Sequence, residues 1–179
     1  MVDIPDRELE AYGFHRLYSI DFEMAKQACD LLSSQSSDEL RYTILRDVVV
    51  SYSRPFSGNR GRLVKKHRLP DAMVPQAMSA LHNELIALRD QAFAHTDHEF
   101  IKPQHARWPR ADGSAQYPMG FRVPPYQGMV ARIDEIRALA VAMEELVNAI
   151  IGDYQRRFDT LHREQEAADI AAQIDAHGA

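Results

Sequence analysis

The sequence predicts an all-α protein, an antiparallel bundle of four main helices with a long irregular excursion between the third and the fourth. Three observations carry this. Apolar residues recur at alternating three- and four-residue steps in several separate stretches, including Val74, Met78, Leu81, Leu85 and Leu88. The longest such pattern, Met129, Ile133, Ile136, Ala140, Met143, Val147, Ile150 and Tyr154, describes a long helix with a narrow seam, built to lie along others. Between these two stretches, five prolines from Pro103 to Pro125 forbid a helix.

Taken in order, residues up to about Gly13 suggest a short acidic arm or helix, with Gly13 as its stop. Ser19 or Asp21 can cap the first main helix, in which Phe22, Ala25, Cys29 and Leu32 face one way before a serine cluster ends it. Ser36 and Glu39 stand at capping-box spacing for a second helix, where Leu40, Ile44, Val48 and Tyr52 share a side with Leu45 and Val49. Arg54-Pro55 ends it. The third helix opens at Pro70 or Pro75 and runs to about His95. In the excursion, Asp112-Gly113 can turn a hairpin with Trp108 and Tyr117 on its arms. Beyond Arg163 a tail continues helical or frays. The 179 residues suit one domain, with its core over about 21–163 between an N-terminal arm and the C-terminal tail.

Composition narrows the function classes. A hydrophobic fraction of 45% and a charged fraction of 26% are those of an ordinary globular protein. No apolar run reaches membrane-spanning length and the acidic N-terminus lacks a signal-peptide layout, so the expected place is the cytoplasm, with no membrane partner. Cys29, the single cysteine, excludes a disulfide framework and a thiolate metal cluster. A net charge of −5 opposes bulk attraction to nucleic acid, so RNA binding requires a local patch.

One patch stands out. The stretch 54–68 carries Arg60, Arg62, Lys65, Lys66 and Arg68 among glycines, with no acidic residue inside it. It reads either as a solvated loop or as a grip on phosphates. Trp108, Tyr117, Phe121 and Tyr126, interleaved with Lys102, Arg107, Arg110 and Arg122, can stack bases and hold phosphates, or pack as a lid.

The end of the third helix concentrates chemistry. Its apolar stripe finishes in an imidazole, and the run Arg89-Asp90-Gln91-Ala92-Phe93-Ala94-His95 places five residues between an arginine and a histidine. On an ideal helix those six steps advance ~9 Å and turn the two side chains ~120° apart, so they flank Ala92. A phosphate can bridge that notch, or two copies can bring both pairs to a shared cleft across a twofold axis. This run resembles the signature of the HEPN superfamily (higher eukaryotes and prokaryotes nucleotide-binding domains), and the likeness extends loosely over about Asp21 to Arg163. Asparagine is the commoner family residue after the arginine; Asp90 puts a carboxylate beside any bound phosphate.

The resemblance implies a metal-independent endoribonuclease with no cofactor, working as a homodimer in a defence or toxin–antitoxin setting, with RNA as substrate and a cognate antitoxin as a further partner. Arg89, His95 and Asp90 would be its catalytic residues. An imidazole that titrates near neutrality can take a proton from a ribose 2′-hydroxyl or give one to the leaving 5′-oxygen. A guanidinium offers a fixed charge to the phosphorane oxygens. Asp90 can hold the partner's histidine, orient Arg89 or simply pair on the surface. From another class stands a noncatalytic helical module, binding nucleotides or proteins, that keeps the scaffold with a degenerate motif. His95, Asp97, His98 and His105 form a competing set of metal ligands at a spacing that matches no strong metal motif. His82, on the Arg89 side of the same helix, and His162 show no partner pattern in the sequence.

Overall fold

A computed structural model describes residues 4–93, 104–120 and 127–177. Four main helices form an antiparallel bundle, with the irregular region between the third and the last. They are α1 (Asp6–Ser34), α2 (Asp38–Ser53), α3 (Ser79–Leu88) and α5 (Ile133–His177), with the single turn α4 (Gln127–Val130) ahead of the last.

The core forms where the heptad-like spacings meet. On α1, Phe22, Ala25, Cys29 and Leu32 are buried as expected, and Tyr18 and Ala28 join them. Burial pushes the Cys29 thiol up to about 12, so it packs as a small apolar group and is no nucleophile. The seam of α5 is wider than the spacing suggests: Ile136, Ala140, Met143 and Val147 are buried together with Leu139 and Ile151, while Ile150 and Tyr154 lie half-buried at its edge.

Polar pairs along this contact show its antiparallel sense. Arg137 meets Asp30 at 2.6 Å, Lys26 meets Glu144 at 2.5 Å and the Ser19 hydroxyl donates to Asn148 at 2.9 Å. Tyr12 lies edge-on to Tyr154 and Phe158, at ring separations of 6.1 and 5.5 Å.

Those contacts explain the first departure from the sequence reading. No arm ends at Gly13 and no cap opens at Ser19 or Asp21; α1 runs unbroken from Asp6, since Tyr12 and Phe14 on either side of Gly13 anchor that turn. A helical glycine costs about 1 kcal/mol, less than such packing returns. Ser19 spends its hydroxyl on α5 rather than on a cap. Nor does the Ser36–Glu39 capping box form: Ser37 precedes α2 without a side-chain cap, and the Gln35 Oε1 accepts from the backbone N–H groups of Ser36 and Ser37 at 3.0 and 3.1 Å. Leu40, expected on the core side, is exposed, whereas Leu45, Val48, Val49 and Tyr52 are buried.

The third helix is shorter than its stripe. Pro70 and Pro75 each lead into a single 3₁₀ turn, Asp71–Met73 and Gln76–Met78, and regular α-helix holds only from Ser79 to Leu88. Arg89–Phe93 then continue as a wider π-helical turn. In the excursion a hairpin is present. Strands β1 (Gln104–His105) and β4 (Met119–Gly120) pair, and inside them β2 (Trp108–Pro109) pairs with β3 (Ala115–Gln116). Gly113 takes the left-handed φ of +83° at the tip, and the Asp112 carboxylate accepts from the N–H and hydroxyl of Ser114 at 2.9 and 2.6 Å. The tail stays helical to His177, and its residues from Arg163 to Ile170 are exposed. No helix among the described residues is long and apolar enough to cross a membrane.

Leu139→Ala, at a fully buried seam position, should cost about 2–5 kcal/mol in urea unfolding. Leu146→Ala, on the exposed side of the same helix, should stay within about 1 kcal/mol.

Candidate functional site

The basic loop and the end of α3 meet in one cleft. Its volume is about 330 Å³, and it is lined by Phe56 and Ser57 after α2, Arg68 from the loop, Asp71 from the 3₁₀ turn after Pro70, and His82, Asn83, Ile86, Ala87, Arg89 and Asp90 from α3 and the turn that follows. Three sequence-predicted residues, Arg68, Arg89 and Asp90, therefore share a concave surface.

The loop is no slack ribbon. Asn59 and His67 exchange backbone hydrogen bonds at 2.9 and 2.8 Å, and Leu69 is buried with its N–H on the Pro55 carbonyl at 2.7 Å. At its centre the Glu10 carboxylate of α1 accepts from the backbone N–H groups of Arg62, Leu63 and Val64 and meets His67 Nε2 at 2.9 Å. A side chain at Gly61 would collide with that carboxylate. The His67 bond, supported by the three backbone donors, holds the Glu10 carboxyl down at about 2. Two of the loop's basic residues are met from α1, His67 by Glu10 and Arg62 by Asp6 at 3.1 Å. Arg60, Lys65, Lys66 and Arg68 stay exposed and form no ion pair among the described residues.

Arg89 is partly buried and its Nη1 donates to Asp90 at 2.6 Å, within the same chain and one residue apart. Trp108 is exposed on β2, as is Tyr117 between the two inner and outer strand pairs. His95, Asp97 and His98 lie outside the described residues, as do Lys102, Phe121, Arg122 and Tyr126. Of the competing metal set only His105 is described, exposed on β1, and no group of three ligating side chains occurs among the described residues. His162 is exposed and bonds the Phe158 carbonyl at 2.8 Å.

The residue that the sequence reading passed over is His82. It is 2% exposed, and its Nδ1 meets the Tyr52 hydroxyl at 2.8 Å. Phe56 stands edge-on at 4.5 Å, and the Tyr52 ring at 5.9 Å completes an aromatic wall. Burial lowers the imidazole's pKa below its ordinary 6.5, against the smaller opposite pull of Asp71, so His82 is neutral at physiological pH. Burial likewise drives Tyr52 far up, and it remains a hydroxyl. The signal in the sequence was the seven-residue step from His82 to Arg89, which puts both on one side of the helix; its partner, thirty residues away on α2, left none.

No family model, no curated protein and no solved structure matches the chain.

Two acid-side losses of stability follow. Glu10 is held below its ordinary 4.5, so its contribution is complete above that value and disappears as the pH falls toward about 2; Glu10→Gln should flatten this part of the curve. His82 is also held below its ordinary value, so folding favours its neutral form and stability declines as the pH falls below 6.5. Thermal unfolding at pH 7.5 and 5.5 should show a larger drop for the native chain than for His82→Gln.

Proposed function

We propose that the chain acts on RNA as a metal-independent endoribonuclease of HEPN type. The observation that carries this reading is the opening of Arg89 and Arg68 onto one solvent-reachable cleft, beside a loop whose Arg60, Lys65 and Lys66 form no ion pair among the described residues. Arg68 offers a fork to a phosphate, and Arg60, Lys65 and Lys66 extend the positive surface along a strand. Arg89 holds the scissile phosphate and stabilises the charge that builds on its oxygens. In this reading the 2′-hydroxyl oxygen attacks the adjacent phosphorus as its proton leaves to a base, and the bond to the 5′-oxygen breaks as that oxygen takes a proton. His95 serves one of these transfers, Asp90 sets the orientation of Arg89, and the product is a 2′,3′-cyclic phosphate with a free 5′-hydroxyl. The exposed Trp108 supplies a stacking face. A second copy, a cognate antitoxin and a cytoplasmic defence role belong to the same proposal.

One observation favours the noncatalytic module instead. Asp90 already occupies one edge of the Arg89 guanidinium, which leaves less charge for a phosphate.

Labelled RNA incubated with the purified protein in EDTA separates the two. The ribonuclease reading expects cleavage that survives chelation, ends in cyclic phosphate and falls at least about a hundredfold in Arg89→Ala and in His95→Ala, both still folded. Cleavage undiminished by either change, or strictly dependent on a metal, overturns it. Asp90→Asn, which restores the commoner family residue, should leave or raise the rate.

A further inference from the structure

A donor at the floor of the cleft, His82, faces an acceptor at its exposed rim, Asp71. His82 is almost wholly buried, yet its Nε2 makes no hydrogen bond among the described residues, and the nearest carboxylate oxygen, Asp71 Oδ1, stands 3.9 Å away. That gap is too long for a direct bond. It is the spacing at which a single oxygen, about 2.8 Å from each, touches both.

The proton's place on the ring follows from the other side. Among the described residues the buried Tyr52 hydroxyl meets only Nδ1; donating there gives its proton an acceptor and places the proton of the neutral imidazole on Nε2. A single atom that touches both must accept from Nε2–H and donate to a carboxylate. A phosphate oxygen cannot donate, an ammonium cannot accept, and an amide divides the two roles between two atoms; a hydroxyl does both at one oxygen. The same cleft carries Arg68 and Arg89, groups that suit a phosphate. A volume of about 330 Å³ suits a ligand the size of one nucleotide.

We infer that the cleft is a ribonucleotide subsite, with a ribose 2′-hydroxyl bridging His82 Nε2 and Asp71 while the neighbouring phosphate rests on Arg68 and Arg89. The inference takes from the proposed function only that the ligand is RNA-like, and it makes Asp71 and His82 the residues that tell ribose from deoxyribose. Tyr52 is a positioning residue, since it fixes which ring nitrogen carries the proton. A deoxyribose leaves the buried Nε2–H without that partner, while the exposed Asp71 turns back to water, and discrimination between the sugars arises from that loss.

The test uses the full chain with adenosine 5′-monophosphate and its 2′-deoxy counterpart, neither of which can be cleaved by 2′-hydroxyl attack on a downstream phosphate. Binding is followed by calorimetry and by the imidazole ¹H and ¹⁵N signals of His82, assigned with His82→Phe. The ribonucleotide should shift those signals and bind about tenfold more tightly than the deoxyribonucleotide, the loss expected for one buried hydrogen-bonded hydroxyl. In Asp71→Ala, whose exposed side chain makes it safe for the fold, the two should bind alike, at the deoxy level. Equal binding to the native chain, no binding of either at millimolar concentration, or discrimination that persists in Asp71→Ala overturns the subsite; a gap filled by water alone gives the first of these. The RNA cleavage assay is independent. Cleavage with equal binding sinks the subsite and spares the ribonuclease, and sugar discrimination without cleavage does the reverse.

Discussion

The burial of one face of α1 against α5 is the contact on which the rest of the structure rests. Tyr18, Phe22, Ala25, Cys29 and Leu32 from one helix and Ile136, Leu139, Ala140, Met143 and Val147 from the other remove a continuous apolar strip from water. Isolated helices gain little in water, so it is this strip, continued by Tyr12 against Tyr154 and Phe158, that carries α1 unbroken through Gly13 and sets Glu10 on its surface. From there the order passes outward. Phe22 touches Tyr52 at a ring separation of 5.8 Å, Tyr52 holds His82, and Glu10 gathers the loop that carries Arg68 to the same cleft. Each wall of the site is attached to the bundle by a buried or many-bonded group.

The polar groups of the cleft divide by cost. His82 sits among Tyr52, Phe56 and α3, where a charged ring would be expensive, and it responds by staying neutral. Arg68, Asp71 and Asp90 stay at the exposed rim, where their charges cost little to keep. Two arginines and two carboxylates leave the cleft formally near neutral. A plain anion gains less there than a ligand that brings an anion and hydrogen-bond donors together. The protein's overall negative charge works the same way, disfavouring indiscriminate contact with nucleic acid and leaving recognition to the local arrangement.

What the sequence made legible is what periodicity encodes. The buried faces of α1 and α5, four main helices and the hairpin at Asp112-Gly113 were readable because each is a local pattern. The boundaries were not. Gly13 and Ser19 carry stop and start signals that aromatic packing and an interhelical hydrogen bond override. Pro70 and Pro75 mark 3₁₀ turns rather than the start of α3. In the cleft, the convergence of Arg68 with Arg89 was anticipated only as two separate motifs, and the Tyr52–His82 and Glu10–His67 pairs join residues 30 and 57 positions apart, which no spacing rule reaches.

The Arg89–Asp90 pair shows why distance alone does not decide what a charged group can do. At 2.6 Å the two are in direct contact, but nearly half of the Asp90 side chain is exposed, and an exposed ion pair contributes only about 0–1 kcal/mol. A dianionic or diester phosphate arriving in the cleft brings bidentate geometry and the support of Arg68, so it competes with a weak incumbent. The pair also lies in a π-helical turn, Arg89–Phe93, where the backbone is already off the regular α-helical path. The carboxylate that dilutes the arginine's charge is thus also the group that fixes the guanidinium at the cleft, and in the proposed function it would be the weak partner that a phosphate displaces.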